Sequence, residues 1–157
     1  MQRHLPNAQP ATSRQHKHPI LTPRRIKHGY MLLVGISTED TSEDVAKLSN
    51  KVLTLRLYES ATDDTQFWKR NIQEAQGEIL SVSRFTLYAK TKKGTKPDFH
   101  NAQKGPVAQG LYEEFLASLR KGLGSDERVR DGQFGAMMSC GLTNEGPVTI
   151  ILDSKNP

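Results

Sequence analysis

The chain of 157 residues has a single cysteine, Cys140, which excludes an internal disulfide framework and suits a reducing compartment. Cys140 sits inside an apolar run and reads as a small buried hydrophobe rather than a nucleophile. No stretch of about 18 apolar residues occurs, so no membrane-spanning helix is expected. Beyond residue 28 the only histidine is His100, and no second His or Cys stands at metal-ligand spacing. A zinc site is therefore not expected, nor is any other metal or cofactor. The G-x-S-x-G elbow is absent, and a Ser-His-Asp arrangement would have to use His100. Conventional nucleophilic catalysis is disfavoured, and no internal repeat is present.

Acidic residues are also missing, but only locally. Residues 1–28 hold Arg3, Arg14, Lys17, Arg24, Arg25 and Lys27 with no Asp or Glu, leaving sixteen cations against seventeen acids in the remainder. The net charge of +5 thus describes a tail, and tight duplex binding by charge alone is not expected of the body. That tail carries four prolines and no clear period of 2 or 3.6, so an irregular segment is expected over at least 1–24. The prolines also spoil the amphipathic helix of a mitochondrial presequence. The expected organisation is a basic, Pro-rich segment over 1–25 and one folded domain over 26–157, in a cytoplasmic protein with no membrane or DNA partner.

What is present from Gly29 onward reads as alternating elements. The apolar run at 30–36 predicts a strand. Thr41-Ser42-Glu43-Asp44 is a helix start of the capping-box kind, and Val45, Leu48 and Val52 recur at helical spacing, predicting a helix over about 42–53. Leu55-Arg56-Leu57 reads as the start of a strand. Residues 60–77 read as loop, with Trp68 packing down as an anchor. The segment 78–87 is rich in strand formers. Pro106 suits a helix N-terminus, Val107, Leu111, Phe115 and Leu119 mark one face, and Gly122 and Gly124 stop the helix. Strand, helix, strand, strand, helix, hairpin is not a regular alternation, so an α+β fold is expected, with a mainly antiparallel, barrel-like sheet and two main helices.

Near the end, "TNEGPVT" stands between two runs that read as strands, "FGAMMSCGL" and "VTIILD". A Gly-Pro pair there is either a tight turn or a stretch of backbone held out to be read by something. Ser81, Ser83 and Thr86 make a hydroxyl-bearing strand, followed by Lys90, Lys92, Lys93 and Lys96. These are either ordinary polar strand residues and a solvated loop, or a place where one or two phosphates are steered.

Taken together, Ser83-Arg84-Phe85-Thr86-Leu87 resembles the "SQFTL" motif, and Asn144-Glu145-Gly146-Pro147-Val148-Thr149 the "NxGPVT" motif, of the D-aminoacyl-tRNA deacylases. "GYMLLVGIS", "LRLYE", "TKKGTKPDFHNA" and "GQFGAMMS" resemble family segments in the same order, so the likeness covers about 26–153 and is closest to fungal members. It implies a homodimer with active sites at the interface, each subunit inserting its own cis Gly146–Pro147 unit into the pocket of the other. That unit would hold the amino group and refuse an L side chain, so handedness is checked by rejection. The implied reaction is hydrolysis of the ester of D-aminoacyl-tRNA, and of mischarged glycyl-tRNA, assisted by the tRNA 2′-hydroxyl. Ser83, Phe85 and Thr86 are then the implied catalytic positions, positioning the ester and offering backbone N–H groups. Arg84, Ala102, Phe134, Met137, Gly146 and Pro147 are the implied substrate contacts, and Lys92, Lys93 and Lys96 those to the aminoacylated tRNA 3′ end. Two departures stand out. Arg84 replaces the family's glutamine, and only Gln2-Arg3 fits the family's opening "AVxQRV" strand. They motivate the alternative of a catalytically impaired relative that binds tRNA ends or a protein partner.

Overall fold

The computed structural model describes the backbone of Gln2–His4 and residues 24–156; the irregularity expected of the tail therefore lies largely outside the described residues. Five strands form one sheet in the order β4-β3-β2-β1-β5, where β1 is Gln2–His4, β2 Gly29–Val34, β3 Glu78–Ser83, β4 Val129–Asp131 and β5 Asn144–Thr149. Helix α1 spans Ser42–Thr54 and α2 spans Gly105–Leu123.

The expected mainly antiparallel, barrel-like sheet is not what the chain forms. β2 pairs with β3 in parallel from Gly29↔Glu78 to Val34↔Ser83, and β3 pairs with β4 in parallel. Only the short β1 runs antiparallel, to β2 on one side and β5 on the other. The cause lies in two misread segments. Leu55–Leu57 is not a strand, and the residue that follows it, Tyr58, forms an isolated bridge to Arg70. The three-residue β4 left no readable pattern. With one strand removed and one added, the chain from 29 to 131 becomes a regular β-α-β-α-β path, whose helical crossovers impose parallel pairing. Two successive crossovers in the same direction place both helices on one face, where they pack on each other.

That face holds the core. Tyr30 and Ile79 stand opposite each other in register, both fully buried, and meet Val45 and Val52 of α1 and Phe115, Leu116 and Leu119 of α2. Tyr112 of α2 donates its hydroxyl to Ser81 Oγ at 3.0 Å, so these two buried hydroxyls are paired. Burial pushes the Tyr112 phenol up to about 12. Gly29 admits no side chain, because a Cβ there would lie 1.7 Å from the Glu78 carbonyl oxygen.

The helix ends follow their sequence signals. Thr41 N–H donates to Asp44 Oδ2 at 3.0 Å at the start of α1. Pro106 occupies the first turn of α2, and Gly124 closes it in the left-handed conformation. The predicted strand over 78–87 stops at Ser83; Phe85–Tyr88 is a single 3-10 turn. Trp68, expected to anchor its loop, is 54% exposed. Between β2 and the segment 149–154 lies an apolar cavity of about 460 Å³, bordered by Leu33, Leu87 and Ile151.

Candidate active site

β3 delivers the first motif. Arg84 N–H donates to the Val34 carbonyl at 2.7 Å, which ends the parallel ladder and turns the chain into the 3-10 segment. Phe85 and Thr86 are thereby exposed at the end of β3, with Ser83 half-buried beneath them. The loop that follows folds back at once. Lys90 and Asp98 exchange two backbone hydrogen bonds, of 2.8 and 3.0 Å, closing a hairpin whose exposed tip carries Lys92, Lys93 and Lys96. Phe99 then meets Phe85 edge to face, with ring centres 5.0 Å apart. Ala102 is buried next to it, bridged to Ser37, with its N–H on the Phe99 carbonyl.

A second loop closes the other flank. Arg84 is half-buried and its Nη2 donates to Cys140 Sγ at 3.6 Å, joining the first motif to the segment 133–143. Cys140 was expected to be buried; it is exposed, because 134–142 forms no strand and so has no second face to hide it. Phe134 packs against Tyr112 at 5.8 Å and so against the core, whereas Met137 is 77% exposed.

The second motif is not a turn between strands, for Asn144–Thr149 is itself β5. β5 is an edge strand, where a proline interrupts no central ladder. The Gly146–Pro147 bond is cis, and both residues are exposed. Gly146 has φ +110°, and a Cβ there would press to 2.8 Å from Val148 Cγ2, so the backbone requires glycine. β5 stands three places from β3, on the order of 14 Å across the sheet at about 4.8 Å per strand. Phe85, Phe99, Ala102, Arg84 and the lysine hairpin are thus gathered at one end of the sheet, while Gly146 and Pro147 stand apart on its edge.

The electrostatics of the gathered group are one-sided. Between Arg84 and Lys104 six cationic side chains face one carboxylate, Asp98. The backbone and side chain of His100 both bond to that carboxylate and hold it below the usual range. Among the described residues no group of three His, Cys, Asp or Glu could hold a metal ion.

The family profile described as D-Tyr-tRNA(Tyr) deacylase matches residues 20–153. The chain belongs to the D-Tyr-tRNA(Tyr) deacylase family. Within it, the chain is 69% identical over 129 residues to the D-aminoacyl-tRNA deacylase of Saccharomyces cerevisiae, covering 82% of this chain and 84% of that one. The D-aminoacyl-tRNA deacylase of Bacillus pumilus is 47% identical over 131 residues, covering 83% and 84%. A solved structure named c-Myc DNA Unwinding Element Binding Protein superimposes with a TM-score of 0.74 at 42% identity, covering 82% of this chain and 83% of the other. A structure described as a probable eukaryotic D-amino acid tRNA deacylase shares the deacylase fold at 18% identity, with a TM-score of 0.69, covering 80% and 85%.

One cluster escaped the sequence reading: Lys90, Asp98 and His100 meet at the base of the hairpin. The separation of eight residues between Lys90 and Asp98, spanning a Lys-, Gly- and Pro-rich stretch, was the available signal for a closed hairpin.

Proposed function

We propose that this chain hydrolyses the ester bond of D-aminoacyl-tRNA, releasing free D-amino acid and tRNA, and that it acts as a homodimer. Membership of the deacylase family supports the reaction. The single observation that carries the dimer is the separation of the two motifs: Phe85 follows β3 and Gly146–Pro147 lies on β5, three places away, so in this reading one copy supplies one half of a pocket and a second copy the other. In this reading Phe85 and Phe99 wall the terminal adenosine, the N–H groups of Phe85 and Thr86 receive the oxyanion, and the half-buried Ser83 supports that turn. Ala102, Phe134 and Met137 border the aminoacyl group, and Lys92, Lys93 and Lys96 meet the acceptor end.

The second copy's Gly146 and Pro147 offer carbonyl groups to the substrate ammonium. An L side chain would collide with that backbone, while a D side chain or the hydrogen of glycine points outward. The one imidazole beside the group, His100, has its Nε2 turned to Lys90 rather than to the proposed ester position, which fits a reaction in which the ribose 2′-hydroxyl assists and the protein supplies placement. Residues 1–25 stand outside this machinery in the proposal, which assigns it to 26–157.

The test is ester loss from D-Tyr-tRNA and L-Tyr-tRNA with purified protein. Selective loss of the D ester is expected, with glycyl-tRNA also cleaved. Binding of both tRNAs without hydrolysis of either would replace this reading with that of an impaired, tRNA-binding relative, which Arg84 favours.

A further inference from the structure

His100 lies between two charged groups of opposite sign. Its Nδ1 meets the Asp98 carboxylate, and its Nε2 stands 3.3 Å from Lys90 Nζ. The His100 backbone N–H donates to Asp98, and this bond with the ring contact holds the Asp98 carboxyl below its usual range, in the ionised form. A carboxylate at Nδ1 places the ring proton there and leaves the Nε2 lone pair facing the ammonium. Lys90 therefore donates one of its three N–H groups to His100 and keeps two for another acceptor. No other carboxylate stands between residues 84 and 104, and the side chains of Asp98 and His100 are 58% and 57% exposed.

A lysine on a solvated loop normally sweeps many rotamers, and immobilising it on binding costs affinity. Here the paired backbone hydrogen bonds between Lys90 and Asp98 fix the base of the hairpin, and the imidazole fixes the ammonium over it. Phe99, between Asp98 and His100 in the chain, is braced on Phe85, so the ammonium is held in register with the proposed adenosine wall.

We propose that Lys90 binds a backbone phosphate of the single strand that enters the site, and that Asp98 and His100 are positioning residues that aim its ammonium. The inference rests on the proposed tRNA substrate and adds a contact distinct from the hairpin-tip lysines. The phosphate is a diester near the 3′ end, recognised as charge rather than as sequence.

The experiment measures binding of uncharged tRNA as a function of salt, and the steady-state kinetics of D-Tyr-tRNA, for Lys90→Met, Lys90→Arg, His100→Ala and the double variant Lys90→Met/His100→Ala. Lys90→Met should weaken binding about tenfold, raise KM with kcat within about twofold, and lower the slope of log K against log salt by about one. His100→Ala should weaken binding about threefold and leave the slope unchanged, because the charge remains. In the Lys90→Met background His100→Ala should add nothing, as expected of two residues acting through one contact. Lys90→Arg should recover most of the affinity. Additive effects of the two substitutions, or an unchanged salt slope in Lys90→Met, would overturn the proposal. Absence of D-Tyr-tRNA hydrolysis by the unaltered protein would remove the catalytic reading alone, since the tRNA-binding arm still decides the phosphate contact.

Discussion

Arg84 stands, inside the proposed site, where the motif that this chain resembles carries glutamine. Its guanidinium is half-buried and donates to the Cys140 thiol, and a sulfur acceptor at 3.6 Å neutralises none of its charge. A substrate ammonium arriving beside Phe85 would meet that fixed cation. With solvent screening, such repulsion costs on the order of 1 kcal/mol, or about fivefold in kcat/KM. Arg84→Gln should accordingly raise kcat/KM for D-Tyr-tRNA about fivefold, measured under single-turnover and steady-state conditions. An equal or lower value would mean that the arginine assists the substrate, for instance by gripping a phosphate.

At the scale of elements, the C-terminal segment is clamped to the start of α1. Lys155 Nζ donates to both oxygens of Asp44 at 2.9 Å, while Asp44 also accepts from Thr41. The Lys155 bond, then the Thr41 backbone bond, hold the Asp44 carboxyl far below its ordinary value; the same contact raises the Lys155 ammonium. A depressed carboxylate contributes stability above its unfolded pKa of about 3.9, and that contribution fades as pH falls below it. Asp44→Asn should therefore lower Tm at pH 7, and the gap from the unaltered protein should narrow as pH falls from about 4 toward 2. A gap independent of pH would show that the side-chain amide, not the charge, is what matters. The start of α1 was legible because capping residues and apolar spacing act within one turn. β4 was not, since three residues cannot display a period and its pairing with β3 depends on contacts 50 residues apart. Losing that one strand, and counting Leu55–Leu57 as another, reversed the sheet from parallel to antiparallel. Of the site, the motifs at Ser83–Leu87 and Asn144–Thr149 were legible as text, but not that the second is itself an edge strand. The Arg84–Cys140 contact and the Lys90–Asp98–His100 cluster join residues whose meeting no local pattern encodes.

At the scale of the whole molecule, one 17.6-kDa chain leaves Leu33, Leu87 and Ile151 at 46%, 55% and 92% exposure around the mouth of the 460 Å³ apolar cavity. Water contact with so much clustered apolar surface is unfavourable by about 25 cal/mol per Å², and association removes it. In the proposed homodimer, Phe85 of one copy would share a pocket with Gly146–Pro147 of the other, which stands three strands away in its own sheet. Sedimentation should therefore report a particle of about twice the chain mass. Ile151→Asp places a charge in that contact and should shift the equilibrium to monomer. Hydrolysis of D-Tyr-tRNA should fall with the dimer fraction and return as protein concentration is raised, because association follows mass action. The concentration dependence separates a broken interface from a misfolded chain, for which added protein restores nothing. A monomeric Ile151→Asp variant with an undiminished kcat would show that each chain holds a complete site, and the division of the pocket between two copies would then be wrong.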